Sequence, residues 1–478
     1  MSLMQQINQI KVKNDIITHQ EDTICALATP SGGAIGIIRI SGCRAIELTD
    51  KVFYSSTNKK LCAAKAQTLH YGYIKNKQQE IIDDVLISVF RSPHSYTGED
   101  LVEISCHGSH YILRSILELL IKVGCRQAQP GEYTQRAFLN GKMDLSQAEA
   151  VADLIASTNK ASHHAAMSQL KGNFSNELST LRNELLKMTS LVELELDFSD
   201  HEELEFANRG ELLALATKID KRITTLAHSF ETGTAIKQGI ATAIVGKTNV
   251  GKSTLLNQLL HEDKAIVSKI HGTTRDIIED TTEINGITFR FIDTAGIRKT
   301  SDEIENLGIE RTYQKIKEAK IVLWVMDKVP TKEDVNDILS HIGVKKIIAV
   351  YNKIDLANDE NQTAIISNIL PLPITTLYIS AKCGTNITLL ETELYKAANV
   401  PEITENDVIV TSARHYDALL RSHKSISRII EGLNLNLSGD LLSEELHICL
   451  EQLAEITGGL ITTNEVLHNI FKHFCIGK

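Results

Sequence analysis

The chain has 478 residues, 42% of them hydrophobic, and a formal charge of −10 at neutral pH. Such a length suggests about three domains with well-formed cores, and no window approaches the ~18 apolar residues of a membrane span. The acidic balance, with no obvious basic stripe, argues against a protein that grips nucleic acid mainly through phosphates.

Met1–Glu21 is polar, has no apolar h-region, and reads as an extension rather than a secretory signal. Residues 22–140 read as an α+β unit. Strand-like runs fall at Thr23–Thr29, Ala34–Ser41, Leu69–Lys75, Ile81–Phe90 and Leu101–Cys106, and apolar spacing of three and four predicts a helix over Gly108–Val123. Cys106, His107 and His110 invite a metal reading, but no further ligand cluster lies nearby. None of the eight cysteines forms a CxxC pair, which argues for a reducing compartment.

From Leu145 to Leu196 the pattern turns helical, broken near Lys171-Gly172-Asn173, with His163-His164 as a helix-surface pair. Seven acids and no Lys or Arg lie between Glu193 and Glu205, which reads as a solvated helix end. Another helix is expected over Arg209–Ser229.

The apolar run Ile240–Val245 leads into Gly246-Lys247-Thr248-Asn249-Val250-Gly251-Lys252-Ser253, and a helix-like segment, Thr254–Leu260, follows. A strand, a turn with GxxxxGK[ST] spacing and a helix form a phosphate cradle. Backbone N–H groups turn inward, the helix N-terminus favours negative charge, Lys252 reaches the outer phosphates and Ser253 offers its hydroxyl to Mg²⁺. Asn249, Val250, Gly251, Lys252, Ser253 and Thr254 are the candidate phosphate contacts.

Gly272-Thr273-Thr274-Arg275-Asp276 is a switch candidate, with Thr274 assigned to the metal. After the strand-like Ile287–Ile292 comes Asp293-Thr294-Ala295-Gly296, where Asp293 can hold Mg²⁺ through water and the glycine lets an N–H approach the γ-phosphate. After Ile347–Tyr351 comes Asn352-Lys353-Ile354-Asp355, and after Ile374–Ile379 comes Ser380-Ala381-Lys382. Asp355 can accept both N–H groups of guanine's pairing edge. Adenine lacks that donor pair, so a buried carboxylate would be left unpaired. The four motifs in this order read as a GTPase module over about 237–396.

Hydrolysis needs neutralised charge and a positioned water. The position after the DxxG motif is Ile297, which cannot orient water, so a carboxylate among Asp302, Glu303 and Glu305 is the alternative. No arginine must act as a finger. The side-chain carbonyl of Asn249 could instead ligate a monovalent ion beside the phosphates.

Beyond Pro401 the helical pattern resumes over Ser412–Leu433 and Leu441–Ile456 and stops at Gly458-Gly459. Thr462-Thr463-Asn464-Glu465 has capping-box spacing and starts a last helix to Phe474. The helical parts on either side of the GTPase module each look incomplete, so one discontinuous bundle with an inserted guest is expected. On the residues alone, Cys475 belongs to a frayed tail, since Gly477 and Lys478 do not suit prenylation.

Taken together, GKTNVGKS, GTTRD, DTAGIRKTSDEIE, SYTGEDLVEISCHG, PGEYTQRAFLNGKMDLSQAEAVADLI and the terminal Cys475-Ile476-Gly477-Lys478 resemble the family of tRNA-modification GTPases called MnmE or TrmE. The resemblance runs from about Asp22 to the end. It implies a multidomain α/β + α protein: an α+β folate-binding and dimerisation domain (22–140), a helical domain in two parts (141–236 and 397–478), and an inserted Ras-like P-loop domain (237–396). By motif position it places K⁺ at Asn249, Ser268, Ile270 and Thr273, the catalytic glutamate at Glu305, and a formyl- or methylene-tetrahydrofolate at Arg39, Glu103, Lys142 and Lys478. It makes the thiol of Cys475 necessary for tRNA modification. It also implies K⁺-promoted pairing of two G domains, a homodimer, an FAD- and NADH-using partner (MnmG), and an aminomethyl-type group added at C5 of the wobble uridine in the cytoplasm. A tRNA contact on so acidic a chain must be local, weak or shared with a partner. A ribosome-assembly GTPase would not need Cys475, Lys142 and Glu103. A folate-dependent aminomethyltransferase with an inert G domain would not keep Lys252, Asp293, Glu305 and Asp355.

Overall fold

The structure is a computed structural model that describes residues 22–57, 59–197, 208–260, 280–293, 319–342, 346–356, 374–459, 467, 470–472 and 474–477. The chain forms two compact units. The first takes residues up to Ala152, Gln169–Asp220 and Arg421 onward; the second takes Asp153–Ser168 and Lys221–Leu420.

The first unit begins with β1 (Ile24–Leu27), β2 (Ile35–Ser41), α1 (Ala45–Asp50), β3 (Phe53–Ser55), β4 (Thr68–Lys75), β5 (Ile81–Phe90), β6 (Leu101–His107), α2 (His110–Val123), β7 (Arg126–Gln127) and α3 (Glu132–Leu139). The seven strands form one sheet in the order β3-β4-β5-β6-β2-β1-β7, antiparallel except for the β1–β7 pair. Alternation along β2 and β4 sends Ile38, Ile40 and Ile74 into a core closed by Leu113, Ile116 and Leu120 of α2. The opposite face carries Arg39, Glu103, Leu69 and Tyr71, because the register sets Arg39 against Glu103, Glu103 against Ser88 and Ser88 against Leu69. Elements α1, β3, β7 and α3 are absent from the sequence reading, being too short to show a period.

The helical stretch after residue 144 divides into α4 (Leu145–Ala156), α5 (Lys160–Leu170) and α6 (Asn173–Asp197). The additional break comes at Asn159, whose Oδ1 accepts the N–H of Ser162 at 2.7 Å and caps α5. Helix α7 (Arg209–Gln238) runs nine residues past its expected end at Ser229. It passes through Gly233, where a Cβ would sit 2.0 Å from the Val410 carbonyl, so a close backbone contact compensates the weak helix former.

The second unit contains β8 (Ile240–Val245), α8 (Lys252–Leu260), β9 (Asp280–Ile284), β10 (Ile287–Asp293), β11 (Ile321–Met326), α9 (Lys332–Ile342), β12 (Lys346–Tyr351), β13 (Thr375–Tyr378) and α10 (Ile387–Ala398). Its six-stranded sheet has the order β13-β12-β11-β8-β10-β9, parallel except for the β9–β10 hairpin. Strands β8 and β11 are buried at every residue and read as continuous apolar runs, as central parallel strands do.

Helices α11 (Ala413–Asn434) and α12 (Gly439–Thr457) follow the second unit's sheet in the chain. Within the first unit α12 lies against α6: Gly439 meets Val192 and Leu196, and His447 pairs with Glu193 at 2.9 Å. Arg421 pairs with Glu455 at 2.9 Å and His423 with Asp220 at 2.6 Å. Helices from before and after the inserted module therefore share one bundle.

Candidate functional site: a nucleotide cradle and a tail-closed ligand pair

In the second unit β8 delivers the chain to the loop 246–251, and α8 begins at Lys252, two residues earlier than its periodicity suggests. The Lys252 Nζ donates to the carbonyls of Gly246 at 2.6 Å and Lys247 at 2.7 Å, which holds the ammonium across the loop mouth. Ser253 and Thr254 are exposed in the first turn of α8, where a hydroxyl can meet a divalent cation. At Gly251, with φ of +97°, a Cβ would lie 2.3 Å from the Asn352 amide nitrogen, so only glycine fits.

The loop and the base-recognition motifs are joined directly. Asn352 is buried; its Nδ2 donates to the Val250 carbonyl at 2.8 Å, and its Oδ1 accepts the Ala381 N–H at 2.9 Å. The Lys353 ammonium donates to the Asn249 carbonyl at 2.7 Å and pairs with Asp327 at 2.7 Å. Asn249 has φ of +63° and an exposed side chain. Its backbone oxygen is used by Lys353, and its exposed side-chain amide oxygen is of a type that could ligate a cation. The buried Ser380 hydroxyl donates to Asp355 Oδ1 at 2.6 Å and accepts the Cys383 N–H at 3.2 Å. Asp355 itself is exposed rather than buried, and Lys382 is exposed as well. An exposed carboxylate at this position could discriminate between bases only if a bound base desolvated it.

Ser268, Ile270, Thr273, Thr274, Thr294, Ala295, Gly296, Ile297, Asp302, Glu303, Glu305 and the Thr462–Glu465 capping box lie outside the described residues, as does Lys478. Asp293 closes β10, and of this residue only the backbone is described.

The first unit carries a second cluster, on the outer sheet face. Arg39 Nε and Nη2 both donate to Glu103 Oε1, at 2.9 and 2.8 Å, with about a quarter of each side chain exposed. The guanidinium lies 5.6 Å from the Tyr96 ring centre and 5.7 Å from that of Tyr133, and the Tyr133 hydroxyl donates to the Arg39 carbonyl at 2.7 Å. Glu103 is thus neither a bare surface residue nor a core one. Lys142 Nζ donates to the Pro93 carbonyl at 3.0 Å, and nothing described joins it to the Arg39–Glu103 pair.

The tail docks at the same cluster. Ile476 bridges Pro130, the Gly131 N–H reaches the Cys475 carbonyl at 3.4 Å, and Arg39 Nη1 reaches the Gly477 carbonyl at 3.4 Å. Gly477 has φ of +95° and would set a Cβ 2.0 Å from the Leu27 carbonyl. Cys475 is exposed two residues from that contact. The frayed-tail reading does not hold, because these interactions order the segment. The aromatic pair around Arg39 escaped the sequence reading; Tyr133 lies inside PGEYTQRAF, and its proximity to Arg39 exists only once the sheet has formed.

Other candidates resolve into local contacts. His107 Nδ1 pairs with Asp83 at 2.8 Å, Cys106 Sγ donates to the Gly36 carbonyl, and His164 is partly covered with Nδ1 3.0 Å from the Ile403 carbonyl.

A mostly parallel sheet whose first strand opens into a lysine-bearing loop, with an Asn-Lys-x-Asp turn bound to that loop, defines a P-loop GTPase. Two family models match: "GTP-binding protein TrmE N-terminus" over residues 23–142 and "MnmE helical domain" over residues 145–475. Proteins named tRNA modification GTPase MnmE from Phocaeicola vulgatus and Bacteroides fragilis are each 55% identical, over 96% of this chain and 99% and 100% of their own. One from Bacteroides thetaiotaomicron is 54% identical over 96% of this chain and 100% of its own. The chain belongs to the tRNA modification GTPase MnmE family.

Proposed function

We propose that this protein is a K⁺-activated GTPase that acts with an FAD-dependent partner of the MnmG type to install an aminomethyl-type group at C5 of the tRNA wobble uridine. The observation that carries the reading is the docking of the Cys475 tail onto the Arg39–Glu103 pair, in a chain that also holds a guanine-nucleotide cradle.

In the cradle Lys252 moves from the loop carbonyls to the β- and γ-phosphates, and Ser253 takes Mg²⁺ together with Thr274. Asp293 would help to hold the same ion. Asn249 supplies K⁺ with a side-chain oxygen, joined by Ser268, Ile270 and Thr273, and Glu305 orients the attacking water. When bound, the two cations neutralise charge that builds on the phosphates as the β–γ bridging bond breaks. Thr294, Ala295 and Gly296 follow the γ-phosphate, while Asp355, Ser380, Ala381 and Lys382 enclose the base. Release of phosphate loosens the switch segments, so that pairing and separation of two G domains follow the nucleotide.

In the N-terminal unit Glu103 accepts from the amino-pyrimidine edge of a reduced pterin. Arg39, Lys142 and Lys478 meet its carbonyl and carboxylates. Tetrahydrofolate when bound supplies the one-carbon unit; the chain's own residues orient it and set the thiol nearby. The outer sheet face exposes Leu69 (63%), Tyr71 (55%) and Leu86 (40%) side by side, which suits a homodimer built through this unit. We assign residues 22–140 to ligand binding and dimerisation, 141–236 and 397–478 to the helical support, and 237–396 to the G domain. A cytoplasmic setting suits eight cysteines without a disulfide among the described residues. No helix among those residues is long and apolar enough to cross a membrane.

Mass spectrometry of wobble nucleosides from cells lacking the protein tests the reading. Unmodified uridine should accumulate and disappear on complementation; an unchanged nucleoside profile would refute it.

A further inference from the structure

We propose that the β3 edge of the N-terminal sheet binds a single-stranded segment of RNA, with Tyr54 and Tyr73 as a stacking platform and the surrounding lysines as phosphate contacts. The inference rests on tRNA being the substrate and gives that substrate a place on the molecule.

Charge singles out the segment. Residues 51–79 contain six lysines and no Asp or Glu, in a chain whose total is −10. The run is spread too thinly to look like a basic stripe in sequence. Folding places the β3 and β4 part of it at one border of the sheet, with Lys75 at the end of β4, while the single-turn helix Leu61–Ala63 packs on the core side, where the Leu61 N–H donates to Asp50 at 2.8 Å. Lys59, Lys60, Lys65 and Lys77 are exposed, and among the described residues none of the four is ion-paired.

The aromatic groups are placed by register. Tyr54 lies opposite Tyr73 across β3 and β4, while their neighbours Phe53 and Ile74 turn into the core. The two rings are parallel within 6° with centres 6.0 Å apart, and Lys75 Nζ lies 5.0 and 5.1 Å from them. Bases stack on such rings whatever their identity, and an ammonium on a flexible stem can turn from ring to phosphate. A dry protein interface would have to bury that ammonium at a cost, whereas a wet, anionic strand pairs with it.

Of the acids near this edge, Glu47 is neutralised by Arg44 and Lys51, while Glu80 and Asp84, the latter opposite Tyr73, accept only the neutral Asn76 amide and the Tyr71 hydroxyl and keep their charge, which Lys75 and the exposed lysines must outweigh.

The test is fluorescence anisotropy of the full chain with a labelled anticodon stem-loop RNA at several salt concentrations, beside GTP turnover on the same preparations. Tyr54→Ala with Tyr73→Ala should weaken binding about tenfold or more, while Tyr73→Phe, which keeps the ring face, should bind as wild type. Lys59→Glu with Lys60→Glu should weaken binding and flatten its salt dependence. GTP turnover should stay at the wild-type rate in all of them, which reports intact folding. Unchanged affinity in both double variants would overturn the edge and leave the tRNA reading standing. Failure of the wild-type protein to bind the RNA would sink both. A fall in molecular mass by light scattering, with RNA affinity unchanged, would reassign the edge to self-association.

Discussion

The side-chain amide of Asn352 is bonded at both ends, donating to the Val250 carbonyl at 2.8 Å and accepting the Ala381 N–H at 2.9 Å. One buried side chain thereby holds the phosphate loop against the two segments that enclose the base. Asn352→Ala removes it and leaves a buried carbonyl and a buried N–H unpaired, at a cost of about 1–3 kcal/mol. We predict a lower melting temperature and a GDP affinity weakened about tenfold or more, read by fluorescent-nucleotide titration. Wild-type affinity in this variant would show that loop and base motifs hold their places independently.

The cation dependence should be a property of Asn249. Replacing Na⁺ by K⁺ is predicted to raise GTP turnover, and Asn249→Gly should abolish the difference. Glycine accepts the φ of +63° without strain, so the variant deletes the side-chain oxygen and spares the backbone. Loss of one charge-stabilising contact typically costs on the order of a hundredfold in rate. Equal rates in the two salts for the wild-type protein would remove the ion from the mechanism.

Thiol and tail can be separated. Cys475→Ser should abolish wobble-uridine modification while leaving tetrahydrofolate affinity and GTP turnover unchanged. Gly477→Ala keeps the thiol but drives a Cβ into the Leu27 carbonyl, so the tail should undock and both modification and folate affinity should fall. If Gly477→Ala modified tRNA normally, docking of the tail would have no part in the reaction.

The first unit should be acid-sensitive through one network. Arg136, with 5% of its side chain exposed, pairs with Asp22 at 2.7 Å, Glu132 at 3.0 Å and Glu99 at 3.1 Å, and Arg126 also reaches Asp22 and Glu132. Burial alone would raise the carboxyl groups of Asp22 and Glu132, but hydrogen bonds and charge from the two arginines, joined at Glu132 by the Gln129 N–H, outweigh it and leave both below the ordinary range. A carboxyl lowered in the folded state binds protons more weakly there than in the unfolded chain. Its stabilisation is complete above the unfolded pKa and is lost as pH falls through the folded one. Thermal unfolding followed from pH 7 to pH 2.5 should show a loss that steepens below about pH 4. Arg136→Met should cost about 3–5 kcal/mol at pH 7 and flatten that acid limb. An acid limb identical to wild type would place the sensitivity elsewhere.

What the sequence determined by itself was whatever depends on neighbours in the chain. The cradle was legible because Val245, the loop and Lys252 are contiguous, and strands β8 and β12 announce themselves as apolar runs, whereas β11, though apolar throughout, was missed for want of a motif beside it. Short elements were not legible, since β3 with three residues and β7 with two cannot display a period. Tertiary structure alone decided the long-range contacts. It brought Gly477 to Arg39 across 438 positions and set Tyr54 beside Tyr73 with Lys75 over both rings. The physical reason is that hydrophobic patterning specifies which face of each element is buried, whereas which outward residues meet is set by strand order and register. Those follow from packing the whole core, and no window of the chain contains that information.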